Sequence, residues 1–266
     1  MECIAPLFVP ADRPERFAKA AASGADAVIL DLEDAVAPDR KEIARAALDA
    51  SFTALPVIVR VNAPGSPWHE ADLAAATALK IHAIMLPKAE ANPGLSQACT
   101  AAMKAGIRVI ALVESARGLA DAREIAATQG VFRLAFGSID YCADLGCEHT
   151  REALLAARSE LVLASRLAGL TPPIDGVTTA IDQPALVTDD ARHARSLGFM
   201  GKLCIHPKQV APAIEGFMPS PTDITWAERI LASGEGAVAV DGAMVDEPVR
   251  LRARSILARA ASRPAA

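Results

Sequence analysis

Short apolar runs rich in Val, Ile and Leu recur between longer Ala-rich stretches of helical period, at 4–9, 27–31, 57–61, 83–87, 108–113, 133–136, 173–175 and 201–205. A strand buried on both faces, with a crossover helix on each side, reads in this way because helices cover both faces of a parallel sheet. Eight βα units in about 210 residues predict a (β/α)8 TIM barrel. An open nucleotide-binding sheet would carry a glycine-rich loop after its first strand, and that position here reads Pro10-Ala11-Asp12-Arg13-Pro14-Glu15-Arg16. With 52% hydrophobic but only 4% aromatic residues in 266, the core is aliphatic and large enough for one barrel with an extension, not for two full domains.

Local signals place the first helix over about 14–23. Asp12 and Glu15 have the spacing of a capping box, Pro14 suits a first turn, and Gly24 provides a left-handed stop. The barrel is assigned to residues 1–218 and a helix-hairpin-helix extension to 219–266. That extension comprises a helix over Thr222–Ser233, a hairpin over Val238–Val245 turning at Asp241-Gly242, and a helix from about Pro248 to Ala261. In the last helix Val249, Ala253, Ile256, Leu257 and Ala260 share one face, opposite Arg250, Arg252, Arg254 and Arg259. That face needs a cover, from the barrel or from a neighbouring subunit.

A net charge of −5 leaves no basic surplus for a phosphate backbone, so a nucleic-acid binder is excluded. No leader pattern precedes the first strand, and no apolar stretch approaches the ~18–20 residues of a membrane span; the expectation is a cytoplasmic protein without a membrane partner. Five cysteines without a CxxC spacing encode neither a disulfide framework nor a thiolate zinc site, and read as buried apolar thiols.

Barrel enzymes place their chemistry at the carboxyl ends of the strands. The residues emerging there are Asp31, Glu33, Asp34, Arg60, Asn62, Lys88, Glu114, Asp140, Asp175 and His206. Glu114 follows the run Ala111-Leu112-Val113, and Asp140 follows Leu134-Ala135-Phe136 through Gly137 and Ser138. Two oxygen ligands from adjacent strands, with no His or Cys partner, suit Mg²⁺, which fills its other octahedral positions with water and substrate oxygens. The five histidines form no HxxxH or HExxH, so zinc is not indicated. Arg60 in VIVRVN presents a planar fork that can bind a substrate carboxylate bidentately, or can pair with Asp31 or Glu33. Lys88, in MLPKAE, joins Arg60 and Glu114 as a substrate-contacting group; its alternative is a Schiff-base lysine of a metal-free aldolase.

The motifs LFVPADRPERF, AVILDLEDAV, VIVRVN, IMLPKAE, ALVESARG, FGSIDYCADLG, IDGV, GFMGKLCIHPKQV and DGAMVDEP follow one another along nearly the whole chain. Together they resemble the citrate lyase β-subunit-like proteins of the HpcH/HpaI aldolase/citrate lyase superfamily, which also holds malyl-CoA lyases, citramalyl-CoA lyases and metal-dependent oxo-acid aldolases. The resemblance implies a barrel that is usually trimeric, Mg²⁺ at Glu114 and Asp140, and an oxo-acid carboxylate near Arg60. It also implies a CoA or carrier-protein thioester, and a C-terminal Asp donated into the neighbour's site, matched by Asp246. Two departures are Ser115, where relatives often read ETARG, and Val249, where they often carry His.

The expected activity is a Mg²⁺-dependent lyase cleaving citramalyl-, malyl- or citryl-CoA to acetyl-CoA and a 2-oxo acid, with Asp246 as acid/base and Glu33 as its reserve. Arg13, Arg16 and Lys19 are candidates for the CoA phosphates. The rivals are a CoA-independent oxo-acid aldolase and a β subunit active only within a citrate lyase complex.

Overall fold

A computed structural model describes residues 3–234, 236–240 and 242–261. The chain divides into two compact units, Met1–Ile214 and Glu215–Ala266.

In the first unit, in chain order, lie β1 (Leu7–Pro10), α1 (Phe17–Ala21), β2 (Val28–Asp31), α2 (Lys41–Ala46), β3 (Val57–Arg60), α3 (His69–Thr77), β4 (Ala83–Leu86) and α4 (Pro93–Lys104). They are followed by β5 (Arg108–Val113), α5 (Ala116–Ala120), α6 (Ala122–Ala127), β6 (Val131–Phe136), α7 (Ser138–Leu145), α8 (Leu155–Leu167), β7 (Thr171–Ile174) and α9 (Pro184–Leu197). The division between the units falls inside α10 (Val210–Phe217).

The strands form one parallel seven-stranded sheet in the order β1 to β7, where the sequence predicts eight strands. The eighth expected run, 201–205, makes only isolated bridges, Leu7 to Cys204 and Asp175 to Lys202. It nevertheless hydrogen-bonds to both edges of the sheet. Phe8 N donates to Cys204 O at 2.9 Å beside β1, and Leu203 N donates to Asp175 O at 2.9 Å beyond β7.

A Cβ on Gly201 would stand 2.6 Å from the Cys3 carbonyl oxygen, so this segment runs tight against the chain entering β1. The buried Arg133 spans the same end of the sheet, donating to the carbonyls of Pro172, Cys3 and Met200 at 2.7, 2.9 and 2.9 Å. All three of its guanidinium nitrogens thus donate to backbone carbonyls at this end of the sheet.

The first helix also differs from expectation. A 3-10 turn at Pro14–Arg16 leads into α1, and no side chain caps either. Asp12 instead pairs with Arg40 at 3.2 Å, while Gly24 does take a left-handed φ of 87°.

The second unit contains α11 (Pro221–Ala232), β8 (Val238–Val240), β9 (Ala243–Val245) and α12 (Glu247–Ala261), the two strands pairing antiparallel. Of the expected turn, Asp241 lies outside the described residues. Val249, Ile256 and Leu257 of α12 pack with Ala227 and Ile230 of α11 and with Val245, so α11 supplies the cover that the sequence left to the barrel or a neighbour. Arg250 departs from the polar stripe: it is buried, and gives its Nε to Gly234 O at 2.9 Å and its Nη1 to Gly236 O at 2.6 Å.

Among the described residues, no helix is long and apolar enough to cross a membrane.

Candidate active site

Strand alternation builds the site. Side chains two residues apart share a face, and one apolar cluster collects Ala27 and Ile29 of the β2 segment, Ile58 of β3, Ile110 and Leu112 of β5, and Ala135 of β6. Two residues further along, the same columns deliver Asp31, Arg60, Glu114 and Gly137. A cavity of about 390 Å³ opens there, lined by Asp31, Asp34, Arg60, Glu114 and Asp140 above the apolar Leu112 and Leu203.

Arg60 and Asp31 are register partners on neighbouring strands, and their side chains meet as a fork: Nε to Oδ1 and Nη2 to Oδ2, both 2.7 Å. The bidentate capacity assigned to a substrate is therefore occupied by Asp31. Only the Nη1 edge remains, 2.9 Å from Glu33 Oε2 and 3.6 Å from Asp34. Burial opposes the Arg60 cation, yet Asp31 and Glu33 outweigh it and raise its pKa. Asp31 also accepts the backbone N–H groups of Glu33 and Ala35, at 2.9 and 3.1 Å, which shapes the acidic loop.

Lys41 was not singled out by its sequence context, because a Lys in a first helical turn ordinarily faces solvent. It is buried, and its Nζ donates to Leu32 O, Glu33 O and Asn62 Oδ1 at 2.7, 2.8 and 2.8 Å. A buried ammonium with three acceptors ties the acidic loop to the end of β3.

Glu114 is 2% exposed. Its Oε1 accepts the Lys88 backbone N–H at 2.8 Å, and its Oε2 fills the space that glycine leaves at 137, where a Cβ would stand 2.3 Å away. Burial first, then the neighbouring Glu33 and Asp140, push its carboxyl pKa up to about 8. Asp140 lies in the first turn of α7 and lines the same cavity. Ser138, at the start of that helix, lies 2.9 Å from His149 Nε2.

Glu33 and Lys88 touch the residues that line the cavity, Glu33 through Arg60 and Lys88 through Glu114. Burial raises the Glu33 pKa against the pull of Arg60. Lys88 Nζ stands 3.2 Å from Glu33 Oε1, and its side chain is 48% exposed. Burial lowers the Lys88 pKa, but Glu33 and Glu114 outweigh it and the net shift is upward. A Schiff-base amine needs the opposite shift. At φ 48°, Lys88 has the sole positive φ among the described non-glycine residues, a strain that positions its N–H on Glu114.

The remaining strand-end candidates and Asp246 each have a partner within the chain. Asp175 is buried between Arg158 at 2.8 Å and Lys202 at 3.4 Å, and His206 caps the 3-10 turn Pro207–Gln209 through Lys208 N. Asp246 belongs to the second unit, where its Oδ1 accepts Val249 N at 3.3 Å at the start of α12. Among the described residues no group of three or more His, Cys, Asp or Glu side chains could by itself hold a metal ion.

The sequence profile of the HpcH/HpaI aldolase/citrate lyase family matches residues 5–207. A citrate lyase subunit beta-like protein of Mycobacterium tuberculosis is 41% identical over 265 residues, covering 96% of this chain and 94% of that protein. A (3S)-malyl-CoA thioesterase of Cereibacter sphaeroides is 35% identical over 268 residues, covering 96% and 93%. Among solved structures, the protein CitE of Mycobacterium tuberculosis in complex with magnesium, acetoacetate and coenzyme A superposes with a TM-score of 0.85 at 38% identity, covering 98% of this chain and 99% of that one.

Proposed function

This chain belongs to the HpcH/HpaI aldolase/citrate lyase family, and from that premise we propose that it is a Mg²⁺-dependent lyase cleaving a 3-hydroxyacyl-CoA to acetyl-CoA and a 2-oxo acid. The observation that carries the reading is Glu114: a buried carboxyl whose pKa is raised by burial, Glu33 and Asp140, at the wall of a cavity that Asp140 also lines. Such a concentration of negative charge is relieved by a dication. The donors are hard oxygens alone, and two protein carboxylates leave octahedral positions for water and substrate, the arrangement Mg²⁺ prefers. Mg²⁺, when bound, supplies Lewis-acid polarisation of a substrate carbonyl.

The chain's own groups do the rest. Asp31 holds the Arg60 guanidinium in place, and a substrate carboxylate would take the Nη1 edge in competition with Glu33, a one-edged contact and not a fork. In the cleavage direction a base removes the 3-hydroxyl proton, the adjacent C–C bond breaks toward the thioester, and a proton is returned to the acetyl carbon. Asp246 of a neighbouring subunit in a homotrimer takes this acid/base role, with Glu33 as the reserve. Arg16 and Lys19 line a second cavity of about 320 Å³ beside β1 and α1, suited to the CoA phosphates. The proposal includes an eight-unit barrel over 1–218, closed by the 201–204 segment, and an extension over 219–266 packing on that neighbour.

Citramalyl-, malyl- and citryl-CoA incubated with the purified chain test the reading. Acetyl-CoA should appear with Mg²⁺ and vanish with EDTA. Release of free CoA and the intact hydroxy acid would mean thioester hydrolysis instead. Turnover in EDTA combined with borohydride inactivation at Lys88 would restore the Schiff-base aldolase.

A further inference from the structure

Cys142 and Cys147 are far apart by the usual sequence signatures, but the end of α7 brings them together. Gly146 takes a left-handed φ of 72°, and both Gly146 N and Cys147 N donate to Cys142 O, at 2.9 and 3.1 Å. This is a Schellman closure, in which the residue after the left-handed one folds back over the helical residue five positions earlier. An apolar pair normally occupies the two positions so joined; here both carry thiols, and the Cys142 Sγ donates to Glu148 O, the residue after Cys147, at 3.7 Å. The pair differs in access, Cys142 being buried and Cys147 half-buried.

We propose that Cys142 and Cys147 form a reversible dithiol site, oxidised to an intramolecular disulfide by small disulfides of the glutathione class. A disulfide requires Cα atoms roughly 4.4–6.8 Å apart, and the 3.1 Å backbone hydrogen bond from Cys147 N to Cys142 O draws the two residues together across the helix end. The more accessible Cys147 reacts first. Its thiolate attacks one sulfur of the small disulfide, forming a mixed disulfide and expelling a thiolate that takes up a proton. Cys142 then loses its proton to solvent, and its sulfur attacks Cys147 Sγ, releasing the second small thiol. Two protein thiols are oxidised and one small disulfide is reduced to two thiols. Cys3, Cys99 and Cys204 are buried away from this exchange.

The test uses the full chain with excess oxidised glutathione at neutral pH, followed by intact-mass and peptide mapping. The wild type should lose two titratable thiols, keep no glutathione, and yield a Cys142–Cys147 cross-linked peptide that dithiothreitol reverses. Cys142→Ser removes the resolving thiol, so that variant should retain one glutathione on Cys147. Cys147→Ser should remain unmodified. Circular dichroism of the variants checks that the helix end is intact. A wild type that keeps glutathione on Cys147 without cross-linking overturns the proposal. So does one that stays reduced where Cys142→Ser is modified, or one in which neither chain reacts.

Discussion

At the scale of single residues, Glu114 decides most. Its carboxyl pKa of about 8 lies above the ordinary value of 4.5, so the folded chain holds a proton that the unfolded chain has released over that interval. Where the folded state binds more protons, stability falls as pH rises. In the metal-free protein, stability should therefore decline from about pH 4.5 to pH 8, with the full penalty above. Glu114→Gln should raise denaturant stability at pH 8.5 by roughly 1–3 kcal/mol and abolish thermal stabilisation by Mg²⁺. In the wild type, Mg²⁺ affinity measured by calorimetry should fall about tenfold per pH unit below the carboxyl pKa, because binding must displace the proton. A flat affinity profile would mean that Glu114 is ionised without metal. Arg60→Lys keeps the charge but cannot bridge Asp31 and the cavity together. Breaking a desolvated pair costs about 2–5 kcal/mol, so turnover should collapse while circular dichroism stays native. Near wild-type kinetics would leave Arg60 a purely structural partner of Asp31.

At the scale of elements, the turn from β6 into α7 sets the cavity wall. Gly137 is required there by close approach, because a Cβ would collide with the Glu114 carboxylate. Gly137→Ala should displace Glu114, lowering activity about 10²-fold or more with only a modest loss of stability, since misplacing one reacting group is costly without unfolding anything. Equal losses of activity and of folded protein would assign Gly137 to the core. The same element accounts for a reading the sequence could not support. A cysteine spacing with no CxxC looked like scattered apolar thiols, and only the Schellman turn at Gly146 sets Cys142 against Cys147.

At the scale of the whole molecule, the prediction concerns how sites are shared. If Asp246 acts in a neighbour's site, Asp246→Ala and Glu114→Ala are each inactive, and co-assembly in equal amounts should restore roughly a quarter of sites in a symmetric ring. A mixed oligomer, verified with differential tags, that remains inactive would confine Asp246 to capping α12, the contact its Oδ1 already makes with Val249 N.

The amino-acid order alone determined the βα rhythm and the strand-end polar set, because strand alternation is local: each of Asp31, Arg60 and Glu114 lies an even number of residues beyond a core position. It also carried the family, through motifs that span the chain. What it could not determine was which of those groups are already satisfied. Arg60 was legible as a fork, but its engagement by Asp31 depends on the register of β2 against β3, a long-range fact. Lys41 was invisible because a lysine's burial depends on carbonyls supplied from β2 and β3 and their loops. The 201–205 run bonds to both edges of the sheet through isolated bridges and not a regular ladder, and the apolar face of α12 found α11, an element of its own unit. In each case the deciding contact joins residues distant in sequence, and tertiary packing alone sets that distance.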